Sequence, residues 1–163
     1  MLNVTLLCIG KLKESYLSSA TNEYLKRLKA YCSFSLIELP EYKLGDNPSP
    51  KEIEICLEKE GEQIIKKLPK NSYVIPMCIE GKIISSEDLA KMLRDVAVGE
   101  YGACSGVCFI IGGSFGLSNE VKALANFKLS MSKMTFPHQL ARVMVLEQVY
   151  RAFSINANSR YHK

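Results

Sequence analysis

Apolar positions along the chain follow two periods that alternate. Residues 2–9 form an apolar, β-rich run that Gly10 ends, the signature of a buried strand. Residues 15–30 instead place Tyr16, Leu17, Ala20, Tyr24, Leu25 and Leu28 at helical spacing. Residues 34–39 read as a second strand closed by Pro40, and residues 44–50, with Gly45, Asp46, Asn47, Pro48 and Pro50, as a loop. Ser49 or Pro50 then opens a helix with Ile53, Leu57, Ile64 and Leu68 on its apolar stripe. Glu52 and Glu54 lie in its first turn and Lys66 and Lys67 in its last, which suits the helix dipole.

Residues 73–79 are predicted as a third strand and Glu80-Gly81-Lys82 as a turn. Ser85 or Ser86 caps a helix that runs to Val98, with Glu87 and Asp88 behind the cap. Residues 107–111 are a fully apolar strand, and Ser118 caps a short helix after it. Residues 128–131 are a brief strand, and Pro137 opens a last helix to about Phe153. Strands alternating with helices predict an α/β fold, a mostly parallel sheet flanked by helices. No linker, internal repeat or low-complexity segment divides the chain, so residues 1–163 are expected to form one domain.

Composition narrows this picture only a little. Of 163 residues, 47% are hydrophobic and 23% charged, ordinary for a globular protein. No apolar run reaches the roughly 20 residues of a membrane span. The first ten residues lack the basic start and cleavage site of a signal peptide, so a cytoplasmic protein with no membrane partner is expected. Four of the six cysteines (Cys8, Cys56, Cys78 and Cys108) fall in predicted strands or helices. Cys104 and Cys108 are the one close pair and have no neighbouring ligands, so free thiols and no metal are expected. The net charge of +4 permits a nucleic-acid partner without requiring one.

Candidate chemistry gathers in the last third. Gly112-Gly113-Ser114-Phe115-Gly116 follows an apolar strand, where backbone groups approach ligands in α/β sheets. Its spacing is not the dinucleotide GxGxxG, and the first strand offers only Gly10. Taken alone it reads equally as a tight strand-to-helix turn. A second loop, residues 130–138, combines Ser130, Ser132 and Thr135 with Met131, Met134 and Phe136. Such a loop suits an adenosine or amino-acid moiety, or simply a strand end before a proline-initiated helix. His138 is a capping or packing histidine, or a base.

The last helix is apolar on nearly all sides, which implies a central helix or a subunit interface. Glu147 and Arg151 form an i,i+4 pair. Arg142 has no such partner and points to phosphate or carboxylate binding. Arg160, Tyr161, His162 and Lys163 end the chain. They are a frayed terminus, or else phosphate contacts, a stacking ring and a titratable group.

Together these segments resemble the RlmH family, large-subunit ribosomal RNA pseudouridine-N3 methyltransferases of the knotted SPOUT superfamily. The motifs that carry the resemblance are FIIGGSFGLS at residues 109–118, LSMSKMTFPHQLAR at 129–142, EQVYRAF at 147–153 and YHK at 161–163. IGKLK at 9–13 and EKEG at 58–61 also fit, and the similarity runs essentially end to end.

The resemblance implies a C-terminal trefoil knot whose loops bind S-adenosyl-L-methionine. It also implies a homodimer packed through the last helix and a 23S rRNA substrate (helix 69) in the large subunit or assembled ribosome. Met77, Gly112, Met131, Ser132, Lys133, Met134, Thr135 and Phe136 would hold the cofactor. Arg142, Tyr161 and His162 are the catalytic candidates: Arg142 for phosphate or carbonyl binding, the other two for the base pocket, with His162 as proton acceptor. The chain departs from the family at Pro76-Met77-Cys78, where relatives carry an acid before the Gly-Lys pair. The competing reading is a non-catalytic RNA-binding or ribosome-assembly protein that retains the fold. A nucleotide-dependent oxidoreductase would need the missing glycine fingerprint.

Overall fold

The computed structural model describes residues Met1–Lys163. Five strands form one parallel sheet: β1 (Asn3–Ile9), β2 (Ser33–Leu39), β3 (Ser72–Ile83), β4 (Gly106–Ile111) and β5 (Leu129–Ser130). Their order is β2-β1-β4-β3-β5. The helices are α1 (Ser15–Leu28), α2 (Pro50–Lys67), α3 (Ser86–Ala97), α4 (Asn119–Ala123) and α5 (His138–Asn156).

Side-chain alternation along the strands explains how both faces of the sheet come to be covered. Val4, Leu6 and Cys8 of β1, with Val107, Phe109 and Ile111 of β4, face a core completed by α1, α3 and α5. Leu7 and Ile9, with Cys108 and Ile110, face the opposite way, into a smaller core closed by Ile64 of α2 and Val121 of α4. Each such buried aliphatic side chain stabilises the fold by about 1.5–3 kcal/mol. A one-residue slip in register would turn every one of them to the wrong face. All six cysteines are free, and five are buried.

The predicted caps are present. Ser49 accepts from the Glu52 backbone N–H, and Glu52 returns a bond to the Ser49 N–H. Ser85 and Asp88 repeat this reciprocal pair at α3, and Ser118 caps α4. α5 runs three residues past its predicted end, to Asn156.

The expected turn at Glu80-Gly81-Lys82 is corrected: β3 continues through it to Ile83. The register against β5 shifts there, so that Leu129 pairs with both Met77 and Lys82. Lys82 donates its backbone N–H to the Lys128 carbonyl at 2.9 Å. A Cβ on Gly81 would lie 2.7 Å from the Leu129 carbonyl carbon. The glycine therefore serves close approach of two backbones rather than reversal of the chain.

Candidate active site

Three segments converge beyond the carboxyl ends of the central strands. They are the last part of β3, the glycine turn after β4, and the loop between β5 and α5. Between them lies a cleft of about 680 Å³, within the size range of small-molecule sites.

The glycine turn closes on itself. Gly116 donates to the Gly113 carbonyl at 3.1 Å and adopts φ +83°, a conformation only glycine enters without strain. A Cβ on Gly112 would collide with the Gly116 carbonyl. The second loop is ordered by its hydroxyls: Ser130 donates to the Ser132 carbonyl at 2.9 Å, and the Met134 N–H donates to Ser132 Oγ at 3.0 Å. These local bonds hold the loop open towards the cleft in place of regular secondary structure.

Of the residues expected to hold a cofactor, Met77, Gly112, Met131, Ser132, Met134, Thr135 and Phe136 all line this cleft. Lys133 is the exception; its side chain is exposed beside them. The cleft also takes in residues beyond those expected to hold a cofactor. Glu80, in the misread turn, and Lys122, in α4, pair at 2.6 Å, and both line it, as do Phe115 and His138. His138 is the first residue of α5, whose N-cap, Pro137, makes no side-chain capping bond. Burial, reinforced by the nearby Arg142 and Lys13 charges and partly opposed by Glu41, holds its imidazole below the ordinary value of 6.5. It therefore faces the cleft neutral at pH 7.

Arg142 does not reach the cleft, and the expectation that it lacks a partner is corrected. Its side chain is 1% exposed and pairs with Glu38 at the end of β2 at 2.5 Å. It also donates to the Gly10 carbonyl at 2.9 Å, while its Nε has no partner. Ala141, beside it, faces the cleft instead. Arg142 thus ties the first turns of α5 to the ends of β1 and β2.

The tail is packed rather than frayed. Tyr161 donates to Glu147 at 3.0 Å, meets the Tyr150 ring edge-on at 4.7 Å and lies under the Arg151 guanidinium. Burial raises the Tyr161 hydroxyl to about 12, with Tyr24 and Glu147 adding to the effect. The expected Glu147–Arg151 pair is present at 2.6 Å. Arg151 has only donors, so its contact with His162 Nδ1 at 3.4 Å makes that nitrogen an acceptor. Nε2–H then donates to Glu87 at 2.8 Å. Glu147 lies nine residues along α5 from His138, roughly 14 Å at the helical rise. Tyr161 and His162 are not among the residues that line the cleft.

α5 buries Val145, Leu146, Val149 and Ala152 against α1 and α3. Leu140, Val143 and Met144, on its other side, are only partly covered. The all-round apolar character of the helix therefore combines a core face with an outward apolar face.

Comparison with known proteins bears on this arrangement. The family model described as a predicted SPOUT methyltransferase matches residues 2–162. Proteins named ribosomal RNA large subunit methyltransferase H from Clostridioides difficile and Clostridium acetobutylicum are 49% and 51% identical. Both align over 99% of this chain and 100% of their own length. Among solved structures, a probable methyltransferase from Bordetella pertussis has a TM-score of 0.54 at 12% identity, covering 92% of this chain and 95% of that one. The tRNA (m1G37) methyltransferase of Aquifex aeolicus has a TM-score of 0.51 at 12% identity, covering 92% of this chain and 69% of that one. At such identities these structures establish the fold alone. Matched almost end to end by the family model and by relatives of about half-identical sequence, the chain belongs to the SPOUT methyltransferase family.

Proposed function

We propose that the protein is an S-adenosyl-L-methionine-dependent methyltransferase that modifies N3 of a pseudouridine in helix 69 of 23S rRNA. The observation that carries this reading is the convergence of seven of the eight expected cofactor positions on one cleft. That cleft fits the cofactor chemically. Met77, Met131, Met134 and Phe136 provide apolar walls, and the crowded Gly112–Gly116 turn lets backbone approach closely. The threading of the β5–α5 loop through a trefoil knot is part of the same reading.

When bound, S-adenosylmethionine supplies a sulfonium-activated, electrophilic methyl group. The chain's own task is to hold the uracil-like ring in line with it and to accept the N3 proton. His138 is the neutral imidazole that the geometry brings to the cleft. Tyr161 and His162 enter only from a partner subunit in a homodimer packed through the outward face of α5. There they shape the base pocket, with His162 the second proton acceptor available. Arg142 acts by positioning: it fixes the helix that carries His138.

The modest net charge of +4 suits a substrate held by shape, as in an assembled ribosome, better than a free strand held mainly by counterion release. A ribosomal RNA substrate supports a cytoplasmic location as part of the same reading.

Calorimetry with S-adenosylmethionine separates this reading from a non-catalytic RNA-binding protein. Stoichiometric binding that Gly112→Val abolishes is expected. A folded protein without affinity for the cofactor would favour the non-catalytic alternative.

A further inference from the structure

Glu80 is the one carboxylate among the residues lining the cleft. It stands on the stretch of β3 where the register against β5 shifts, so its position is fixed by backbone pairing on both sides. Lys122 Nζ lies 2.6 Å from its Oε1, and the Glu80 backbone N–H also donates to the carboxylate; with about four acceptor sites on its two oxygens, the group keeps capacity for a further donor. Lys122, with Lys128 as a more distant cation, holds the Glu80 carboxyl below its ordinary range. It is therefore ionised wherever the protein is folded near neutral pH. An acceptor-only oxygen at the mouth of a binding cleft selects a ligand that donates.

Resting on the cofactor reading above, we infer that Glu80 receives the vicinal ribose hydroxyls of the adenosyl group and so sets specificity for a ribonucleoside. The cofactor has three donor groups, and the surroundings of Glu80 discriminate among them. Its α-ammonium, placed on Oε2, would stand within a few ångströms of the Lys122 ammonium, and that like-charge contact is unfavourable. The adenine amino group belongs to a flat ring that seeks the apolar walls, whereas the Glu80 side chain is 54% exposed. The ribose diol is neutral, offers two donors side by side, and tolerates the wet edge of the cleft. A carboxylate paired with ribose hydroxyls is also how α/β nucleotide sites commonly read this sugar. Lys122, which lines the same cleft, has the accompanying role of holding the carboxylate in place through its bond to Oε1.

The experiment is calorimetric and needs no RNA. S-adenosylhomocysteine and its 2′,3′-dideoxyribose analogue are titrated into the wild-type protein and into Glu80→Ala. Hydrogen bonds to a charged group predict that the wild type discriminates by about tenfold or more against the dideoxy analogue. In Glu80→Ala the two ligands should bind within about twofold of each other. 5′-Methylthioadenosine, which has no α-ammonium, should also lose affinity in Glu80→Ala. Equal discrimination in both proteins, or an undiminished affinity of the variant for methylthioadenosine, overturns the assignment. If the wild type binds neither adenosyl ligand, the cofactor reading itself fails, a result distinct from either of those.

Discussion

Arg142 of α5 and Glu38 of β2 are 104 residues apart in the chain, yet they form an ion pair of 2.5 Å around a guanidinium that is 1% exposed. The pair joins the helix behind the cleft to the edge of the sheet, with the Gly10 carbonyl as a second anchor.

Loss of this tie should be felt as stability before it is felt as chemistry. Arg142→Met is expected to lower the unfolding free energy by about 2–3 kcal/mol. That is below the range for breaking a fully buried pair, because Glu38 retains contact with water. Urea denaturation measures this. Cofactor affinity should stay within about threefold, since Arg142 does not line the cleft. A fully stable variant that has lost methyl transfer would return Arg142 to a direct role with the substrate.

Gly112 has no room for a side chain against Gly116. Gly112→Ala should therefore distort the turn and weaken S-adenosylhomocysteine binding by about tenfold or more, the effect of roughly 1.4 kcal/mol at the site. The same calorimetric titration measures it. Gly81→Ala is expected instead to disturb the pairing of β3 with β5 and to lower the thermal midpoint, since its conflict is with the Leu129 backbone.

pH acts on His138 with a definite sign. Its imidazole in the folded protein lies below the ordinary 6.5, so the unfolded chain binds the proton more tightly. The stability that the neutral ring contributes is complete above about pH 6.5 and is lost as pH falls from there through the lower folded value. Unfolding measured at pH 7.5 and pH 5.5 should show a smaller decline for His138→Gln than for the wild type. An identical decline would mean that His138 is not held neutral by the fold.

Removal of Arg160, Tyr161, His162 and Lys163 should separate binding from transfer. The truncated protein loses the Tyr161 contacts with Glu147 and Tyr150, which costs about 1 kcal/mol of stability. It should retain S-adenosylhomocysteine affinity, because the tail does not line the cleft, and, if the proposed homodimer brings the tail to a partner's cleft, it should transfer no methyl group to ribosomes. Full transfer by the truncated protein would remove the tail from the active site.

The parts of this molecule that were legible in the sequence are those set by local rules. Apolar strands such as β1 and β4, and the caps at Ser49, Ser85 and Ser118, depend on residues within a few positions of one another. Gly81 was misleading because a glycine that reverses a chain and one that admits a neighbouring backbone look alike until the neighbour, Leu129, is in place. The Glu38 partner of Arg142 was invisible to any search for i,i+4 charges. Glu80 and Lys122, 42 positions apart, meet only because β3 and α4 border the same cleft. The glycine turn and hydroxyl loop, each ambiguous alone, gained meaning from the spacing of several motifs in order.

The proposed reaction is methylation of a pseudouridine of the large ribosomal subunit. Mass spectrometry of 23S rRNA from cells with and without the gene tests it most directly. An N3-methylated pseudouridine in helix 69 should be present with the gene, absent without it, and restored by the wild-type protein but not by Gly112→Val. Persistence of the methyl group in cells that lack the gene, with no change at any other pseudouridine, would contradict the account.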